Sequence, residues 1–121
     1  MFELSIREDI AAAHFIKGHE GKCKNLHGHT WKVEVTVRHD RLDGLGMVAD
    51  FTVLKKKLQE VLGPIDHACL NELPFFKENN PTTENIAKYV YGQYKDKVKP
   101  LGLKEVRVWE SETSSVTYYK E

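Results

Sequence analysis

Apolar and polar residues alternate strictly in two stretches of the first third of the chain. Residues 2–7 place every second side chain on an apolar face, which predicts a half-buried strand. Residues 10–16 continue as an extended segment, either as a second strand or as the same strand after a bend. The clearest alternation runs over residues 27–38 and predicts a strand with one apolar face. That face carries His27, His29, Trp31, Val33, Val35 and Val37.

Two later stretches space their apolar residues as a helix does. Asp50 is a favourable N-cap for a first helix, which is predicted to end at Gly63-Pro64. A second helix is predicted to begin at Pro81-Thr82-Thr83 and to end at Pro100. Between the helices, residues 65–76 are apolar without a clear period and indicate a loop packed on the core.

The end of the chain predicts two strands joined by a turn at residues 111–115. The first of these strands places Val106, Val108 and Glu110 on one face. The order of elements is therefore strand, strand, helix, helix, strand, strand. This order favours an α+β domain with a mostly antiparallel sheet and both helices on one face.

Length and composition narrow the classes of protein that remain. The chain has 121 residues, which is room for a single domain over residues 1–121. Its 18 basic and 18 acidic residues give no net charge, which argues against charge-driven binding to nucleic acid or an anionic membrane. No apolar run approaches the ~20 residues that span a bilayer. Two cysteines exclude a disulfide scaffold, so we expect a cytoplasmic protein.

Histidines are concentrated near the start of the chain, where His14, His19, His27 and His29 fall within 16 residues. His27 and His29 are two apart on a predicted strand, so their rings project from the same side. His14 could supply a third nitrogen from the neighbouring extended segment. Three histidines with an open fourth position are typical of a catalytic zinc site. The alternative is that these histidines only fill the core, and His19 is expected in solvent.

Other candidate residues surround this cluster. Cys23 precedes His27 by four residues and could be a fourth ligand, a thiolate for proton transfer, or a loop cysteine without a role. Asp66 and His67 are adjacent, and an imidazole oriented by a carboxylate can deprotonate a thiol if the side chains meet. Glu110 lies on an apolar face, so a basic residue or a ligand with paired N–H donors must neutralise it unless it reaches solvent.

Six fragments of the chain are distinctive in combination. They are Ala12-Ala13-His14-Phe15, Cys23 to His29, Met47 to Phe51, Ile65-Asp66-His67 with Leu70-Asn71, Pro81 to Asn85, and Val106 to Glu110. Together they resemble the 6-pyruvoyl-tetrahydropterin synthase family. The resemblance extends over residues 2–119, and the three residues between Cys23 and His27 are similar to the spacing in bacterial 6-carboxy-tetrahydropterin synthases of queuosine biosynthesis. One departure is Ser111, where the family more often has threonine.

The resemblance implies a tunnelling fold, in which a four-stranded antiparallel sheet carries two helices on one face. It also implies a homohexamer built as a dimer of trimers. The resemblance assigns roles to nine residues, in three groups. They are His14, His27 and His29 as ligands of Zn²⁺, Cys23, Asp66 and His67 as the proton-transfer group, and Glu110 as the pterin anchor with Thr82 and Thr83 near the same pocket.

The activity that the resemblance implies is a lyase reaction on 7,8-dihydroneopterin triphosphate. The products would be 6-carboxy-5,6,7,8-tetrahydropterin, triphosphate and acetaldehyde. Two alternatives stay open: a 6-pyruvoyl-tetrahydropterin synthase, which keeps the three-carbon side chain, and a pterin- or metal-binding module without catalysis.

Overall fold

A four-stranded antiparallel sheet is the framework of the fold. The computed structural model describes all 121 residues. The strands are β1 (Phe2–His14), β2 (His27–His39), β3 (Gly102–Ser111) and β4 (Ser114–Tyr118), and they lie side by side in chain order. Residues 2–14 form one strand paired with β2 along its whole length, which decides between the two expectations for this segment.

Three α-helices accompany the sheet: α1 (Phe51–Leu62), α2 (Pro74–Glu78) and α3 (Thr83–Tyr94). The carboxylate of Asp50 caps α1 by accepting from the amide of Thr52. The hydroxyl of Thr82 caps α3 by accepting from the amide of Asn85. The α+β fold with an antiparallel sheet is confirmed, and α2 is an addition that the sequence did not predict.

The second long helix is shorter than its apolar spacing suggested. α3 ends at Tyr94, whereas the prediction extended it to Pro100. Val98 nevertheless stays buried, because the turns that follow the helix keep this side chain on the core. The apolar spacing therefore identified the buried residue correctly but not the conformation that buries it.

The hydrophobic core lies between one face of the sheet and the helices. β2 contributes the most continuous part, with alternate residues from Trp31 to Val37 at 0–1 % exposure. α1 and α3 cover this face with side chains such as Leu58 and Ile86, both fully buried. No helix in the structure is long and apolar enough to cross a membrane.

The opposite face of the sheet is polar. Arg7 on β1 donates to Glu34 on β2 at 2.9 Å. The guanidinium groups of Arg7 and Arg107 lie 4.7 and 4.6 Å from the ring centroid of Trp109, a cation–π arrangement. No helix of this chain covers that face, and the ring of Trp109 is covered by the side chains of Arg7 and Arg107, which lie on β1 and β3.

Candidate active site

The pairing of β1 with β2 brings three histidine rings together at one end of the sheet. His14 lies opposite His27, and Ala12 lies opposite His29, so all three rings project from the core face. The ring centroids are 4.5 Å apart for His14 and His27, 5.1 Å for His14 and His29, and 4.8 Å for His27 and His29. The sequence predicted this convergence from two adjoining extended segments.

Backbone carbonyls fix which nitrogen of two rings faces inward. His14 Nδ1 lies 2.7 Å from the carbonyl oxygen of Pro81, and His27 Nδ1 lies 2.6 Å from that of Asn25. A carbonyl oxygen only accepts, so each Nδ1 carries the proton and each Nε2 keeps a free lone pair. The two Nε2 atoms face each other at 3.0 Å. Carbonyl oxygens that accept from the other ring nitrogen in this way orient metal-binding histidines in other proteins.

Burial also keeps His14 in the form that binds metals. The ring is 2 % exposed, and this burial lowers the pKa of His14 below its ordinary value. The carbonyl of Pro81 opposes this shift, while the neighbouring rings of His27 and His29 reinforce it. His14 is therefore neutral at pH 7, as a ligand imidazole must be.

Glu110 completes the group. Donor atoms of His14, His27, His29 and Glu110 all lie within 4.8 Å of one another. Glu110 Oε1 is 3.0 Å from His29 Nε2, yet the two do not have the alignment of a hydrogen bond, so this buried nitrogen lacks a hydrogen-bond partner. A buried nitrogen without a partner, among three imidazoles and a carboxylate, fits a metal ion such as zinc.

The carboxylate of Glu110 is held from its other oxygen by α3. The buried hydroxyl of Thr83 donates to Glu110 Oε2 at 2.7 Å. Thr82 is used differently, because its hydroxyl caps α3. Of the two threonines expected near the pocket, Thr83 therefore contacts the cluster directly, and Thr82 supports the helix that carries it.

Trp31 forms the floor of the cluster. Its fully buried indole lies edge-to-face with His14 at 4.9 Å and with His29 at 5.0 Å, measured between ring centroids. Packing of this kind restricts the rotation of both imidazoles. The sequence placed Trp31 on the same face as the histidines but assigned it only to the core.

Asp66 and His67 do meet, as the prediction required. Their side chains approach to 3.0 Å, between Asp66 Oδ1 and His67 Nδ1. The same oxygen accepts from the amide of Ala11 at 2.9 Å. This backbone hydrogen bond is the main reason why the pKa of Asp66 lies below its ordinary value, with His67 contributing in the same direction. Asp66 therefore stays ionised and can orient the largely exposed ring of His67.

The segment around this pair is joined to the edge of β1. The amide of Ala13 donates to the carbonyl of Ala68 at 2.9 Å, and Ala13 forms a parallel bridge with Cys69. An open depression beside this junction is lined by residues 11–13, 28–30 and 67–69, which include His29 and His67. Cys69 lines it too and is partly exposed.

Cys23 lies in a single 3₁₀ turn, Lys22–Lys24, and is partly exposed. It is not among the four residues whose donor atoms converge, so Glu110 rather than Cys23 faces the fourth position. The carbonyl of Cys23 accepts from the amide of Ile16 at 2.7 Å, which ties this turn to the segment that follows His14.

Two asparagines that the sequence did not assign hold that segment from its other side. The side-chain amide of Asn71 accepts from the amide of Phe15 and donates to its carbonyl, both at 2.9 Å. Asn80 does the same with Lys17, at 3.2 and 3.0 Å. Only Asn71 belonged to a recognised fragment, and nothing in the pattern of Asn80 distinguished it from an ordinary loop residue.

Comparisons with known proteins agree with this fold. The family model for 6-pyruvoyl tetrahydropterin synthase matches residues 3–121. Among curated relatives, 6-carboxy-5,6,7,8-tetrahydropterin synthase of Haemophilus influenzae is 33% identical, over 98% of this chain and 99% of the relative. The Bacillus subtilis protein of the same name is 38% identical, over 97% of this chain and 84% of the relative.

Pyruvoyl-forming relatives match as well. Human 6-pyruvoyl tetrahydrobiopterin synthase is 40% identical, over 81% of this chain and 70% of the relative. The solved structure of Caenorhabditis elegans 6-pyruvoyl tetrahydropterin synthase superposes with a TM-score of 0.90 at 29% identity, covering 99% of this chain and 96% of that one. The fold is therefore that of a pterin-metabolising lyase. The chain belongs to the 6-pyruvoyl tetrahydropterin synthase family.

Proposed function

We propose that this protein is a zinc-dependent lyase that converts 7,8-dihydroneopterin triphosphate and water into 6-carboxy-5,6,7,8-tetrahydropterin, triphosphate and acetaldehyde, as a step in queuosine biosynthesis. The observation that carries the proposal is the convergence of His14, His27 and His29 beside Glu110. The names of the bacterial relatives, which align with nearly the whole chain, support this product.

The three histidines would hold Zn²⁺, which when bound supplies Lewis-acid polarisation of the substrate's side-chain hydroxyls. Glu110 would accept the paired N–H donors of the aminopyrimidinone edge, and this orients the pterin with its side chain toward the histidines. Thr83 supports this role, because its hydrogen bond fixes the orientation of the Glu110 carboxylate.

Cys23, as the thiolate, would remove the proton from the carbon beside the ring. His67 would activate Cys23 or relay the proton onward, and Asp66 would orient the imidazole. The 3.0 Å approach of Asp66 to His67, and the lowered pKa of Asp66, support these two roles. Thr82 would contribute to the pocket mainly by capping α3 beside Glu110.

A sister activity, 6-pyruvoyl-tetrahydropterin formation, is the second candidate. The similarity to the human protein and the TM-score of 0.90 with the C. elegans structure favour it. Both activities would use the same residues for the early proton transfers, so the site geometry supports the two equally.

The proposal extends to assembly and location. We place residues 1–121 in one domain, which has a single hydrophobic core of 22 residues. β1 and β4 are the two edges of the sheet, and edge pairing between copies would build the trimers of a homohexamer. Cys23 and Cys69 are both free thiols, in keeping with the cytoplasmic location that we propose.

Mass spectrometry of the products from 7,8-dihydroneopterin triphosphate tests the function directly. The zinc-loaded protein is expected to yield 6-carboxy-5,6,7,8-tetrahydropterin and acetaldehyde in equal amounts. Accumulation of 6-pyruvoyl-tetrahydropterin would assign the sister activity instead. Unchanged substrate would refute catalysis and leave a binding module.

A further inference from the structure

One carboxylate oxygen of Glu110, Oε2, accepts a hydrogen bond from Thr83, and the other, Oε1, lies 3.0 Å from His29 Nε2 without an aligned hydrogen bond. We propose that Glu110 Oε1 is the fourth ligand of the bound metal in the substrate-free protein, and that pterin binding withdraws it. The inference rests on the proposed function and adds a switch to it. The carboxylate that anchors the pterin also occupies the fourth coordination position of the metal until the pterin binds.

Two separate distances support this ligand set. His14 Nε2 lies 3.0 Å from His27 Nε2, and His29 Nε2 lies 3.0 Å from Glu110 Oε1. Atoms that share one tetrahedral zinc ion, each at about 2.0–2.2 Å, are separated from one another by roughly 3.3–3.6 Å. Both pairs are a few tenths of an ångström closer than this, so a small outward movement of the side chains gives the spacing of ligands on a common ion, and the two pairs belong to one group within 4.8 Å.

The environment of Glu110 Oε1 points to a cation rather than to a hydrogen bond. The nearest nitrogen, His29 Nε2, is buried and has no aligned partner. Glu110 Oε2 is already satisfied by Thr83, so Oε1 is the oxygen left for the cluster. A metal ion bound to both His29 Nε2 and Glu110 Oε1 satisfies the nitrogen and the carboxylate together.

The two tasks of Glu110 conflict. A carboxylate that accepts two N–H donors of an aminopyrimidinone edge uses both of its oxygens. A metal ion bound to Oε1 draws electron density from this oxygen and makes it a weaker acceptor, so the pterin and the metal compete for Oε1. Pterin capture would therefore withdraw the Glu110 ligand, and the metal held by the three histidines would then have a free position for a side-chain hydroxyl of the substrate.

The coupling must act in both directions. A pterin that lacks a hydroxylated side chain removes the Glu110 ligand and offers nothing in its place. It will therefore weaken metal binding, and by linkage the metal will weaken binding of that pterin by the same factor.

Zinc affinity, measured by competition with a chromophoric chelator, tests the ligand role. Glu110→Gln is expected to lower the zinc affinity by at least about tenfold. Thr83→Val, which removes only the hydrogen bond to Oε2, is expected to lower it by a smaller factor. Glu112→Gln makes the same charge change in the exposed hairpin turn and should leave zinc affinity unaltered. Equal zinc affinity in Glu110→Gln and the unaltered protein would overturn the proposal.

A second measurement needs no variant. The visible absorption of the Co²⁺-loaded protein is recorded during titration with a pterin that has no 6-substituent. Withdrawal of Glu110 predicts a change in the Co²⁺ spectrum, and tighter binding of this pterin to the metal-free protein than to the zinc-loaded one. An unchanged spectrum, or pterin affinity independent of zinc, would contradict the switch.

These outcomes are separate from those of the product assay. Product formed by a protein whose zinc affinity does not depend on Glu110 would overturn the switch and leave the proposed lyase intact. Zinc affinity that depends on Glu110, in a protein that forms no product, would do the reverse.

Discussion

The imidazole of His14 lies edge-on to the indole of Trp31, with the ring centroids 4.9 Å apart and the planes at 88°. His29 packs on the same indole. The core of the protein thus extends directly into the histidine cluster. Two of the three imidazole rings pack on a buried indole rather than on a loop.

This contact predicts that Trp31 reports metal binding. The chain has two tryptophans, so Trp109→Phe leaves Trp31 as the single tryptophan, and Trp31→Phe leaves Trp109 on the opposite face. Co²⁺ should strongly quench the fluorescence of the first variant, because Trp31 contacts two ligand rings. Quenching that is equal in both variants would place the metal away from the histidines.

Asn71 and Asn80, whose side chains hold the backbone of Phe15 and Lys17, form an asparagine clamp that predicts a stability effect. Asn71→Ala removes two hydrogen bonds to the backbone of Phe15 and should lower the free energy of unfolding by about 1–3 kcal/mol. Asn79→Ala is the control, because its side chain makes one exposed bond within its own helix turn. Urea denaturation measures both, and equal losses would show that the clamp contributes nothing specific.

Much of this arrangement was predictable from the sequence. Strict alternation over residues 27–38 placed His27, His29 and Trp31 on one face, and Asp50 marked the start of α1, because both signals are local. β1 was harder to define because Glu8 occupies a core-facing position. It lies at the rim, where Gln59 donates to its carboxylate at 3.0 Å, so the alternation is interrupted without any break in the strand.

The parts that could not be predicted depend on contacts distant in sequence. The carbonyl of Pro81 that orients His14 is 67 residues away, and a carbonyl oxygen has no signature in the sequence. Glu110 was expected as a ligand anchor, but its approach to His29 depends on how β3 pairs with β2. α2 was missed because its five residues, Pro74–Glu78, are too few to show a helical period.

Cys23 is predicted to be required for turnover but not for metal binding. Cys23→Ala should lower kcat by roughly 10²–10⁴-fold, the usual contribution of a positioned base. Zinc and pterin affinity should be retained, because the sulfur is outside the converging group. Cys69→Ala is the matched control and should keep turnover. Zinc loss in Cys23→Ala would make Cys23 a ligand, and unchanged turnover would exclude the base.

The lowered pKa of His14 predicts how the metal-free protein responds to acid. The unfolded chain protonates this ring near its ordinary pKa of 6.5, whereas burial lets the folded protein resist protonation. Protonation of this ring therefore has no effect on the free energy of unfolding above about pH 6.5, and it lowers that free energy as the pH falls below this value. Thermal unfolding should show the loss, and it should be smaller in His14→Asn. His39→Gln, at the far end of β2, should show the same acid-induced loss of stability as the unaltered protein. If the loss in His14→Asn were as large as in the unaltered protein, His14 would be excluded as its source.

Zinc content per chain after exhaustive dialysis tests the central claim most directly. The account predicts about one zinc ion per chain in the unaltered protein. It also predicts that zinc is lost in each of His14→Asn, His27→Asn and His29→Asn, and retained in His19→Asn, whose exposed ring lies outside the cluster. A protein that retains no zinc, or a cluster variant that keeps its full zinc content, would contradict it.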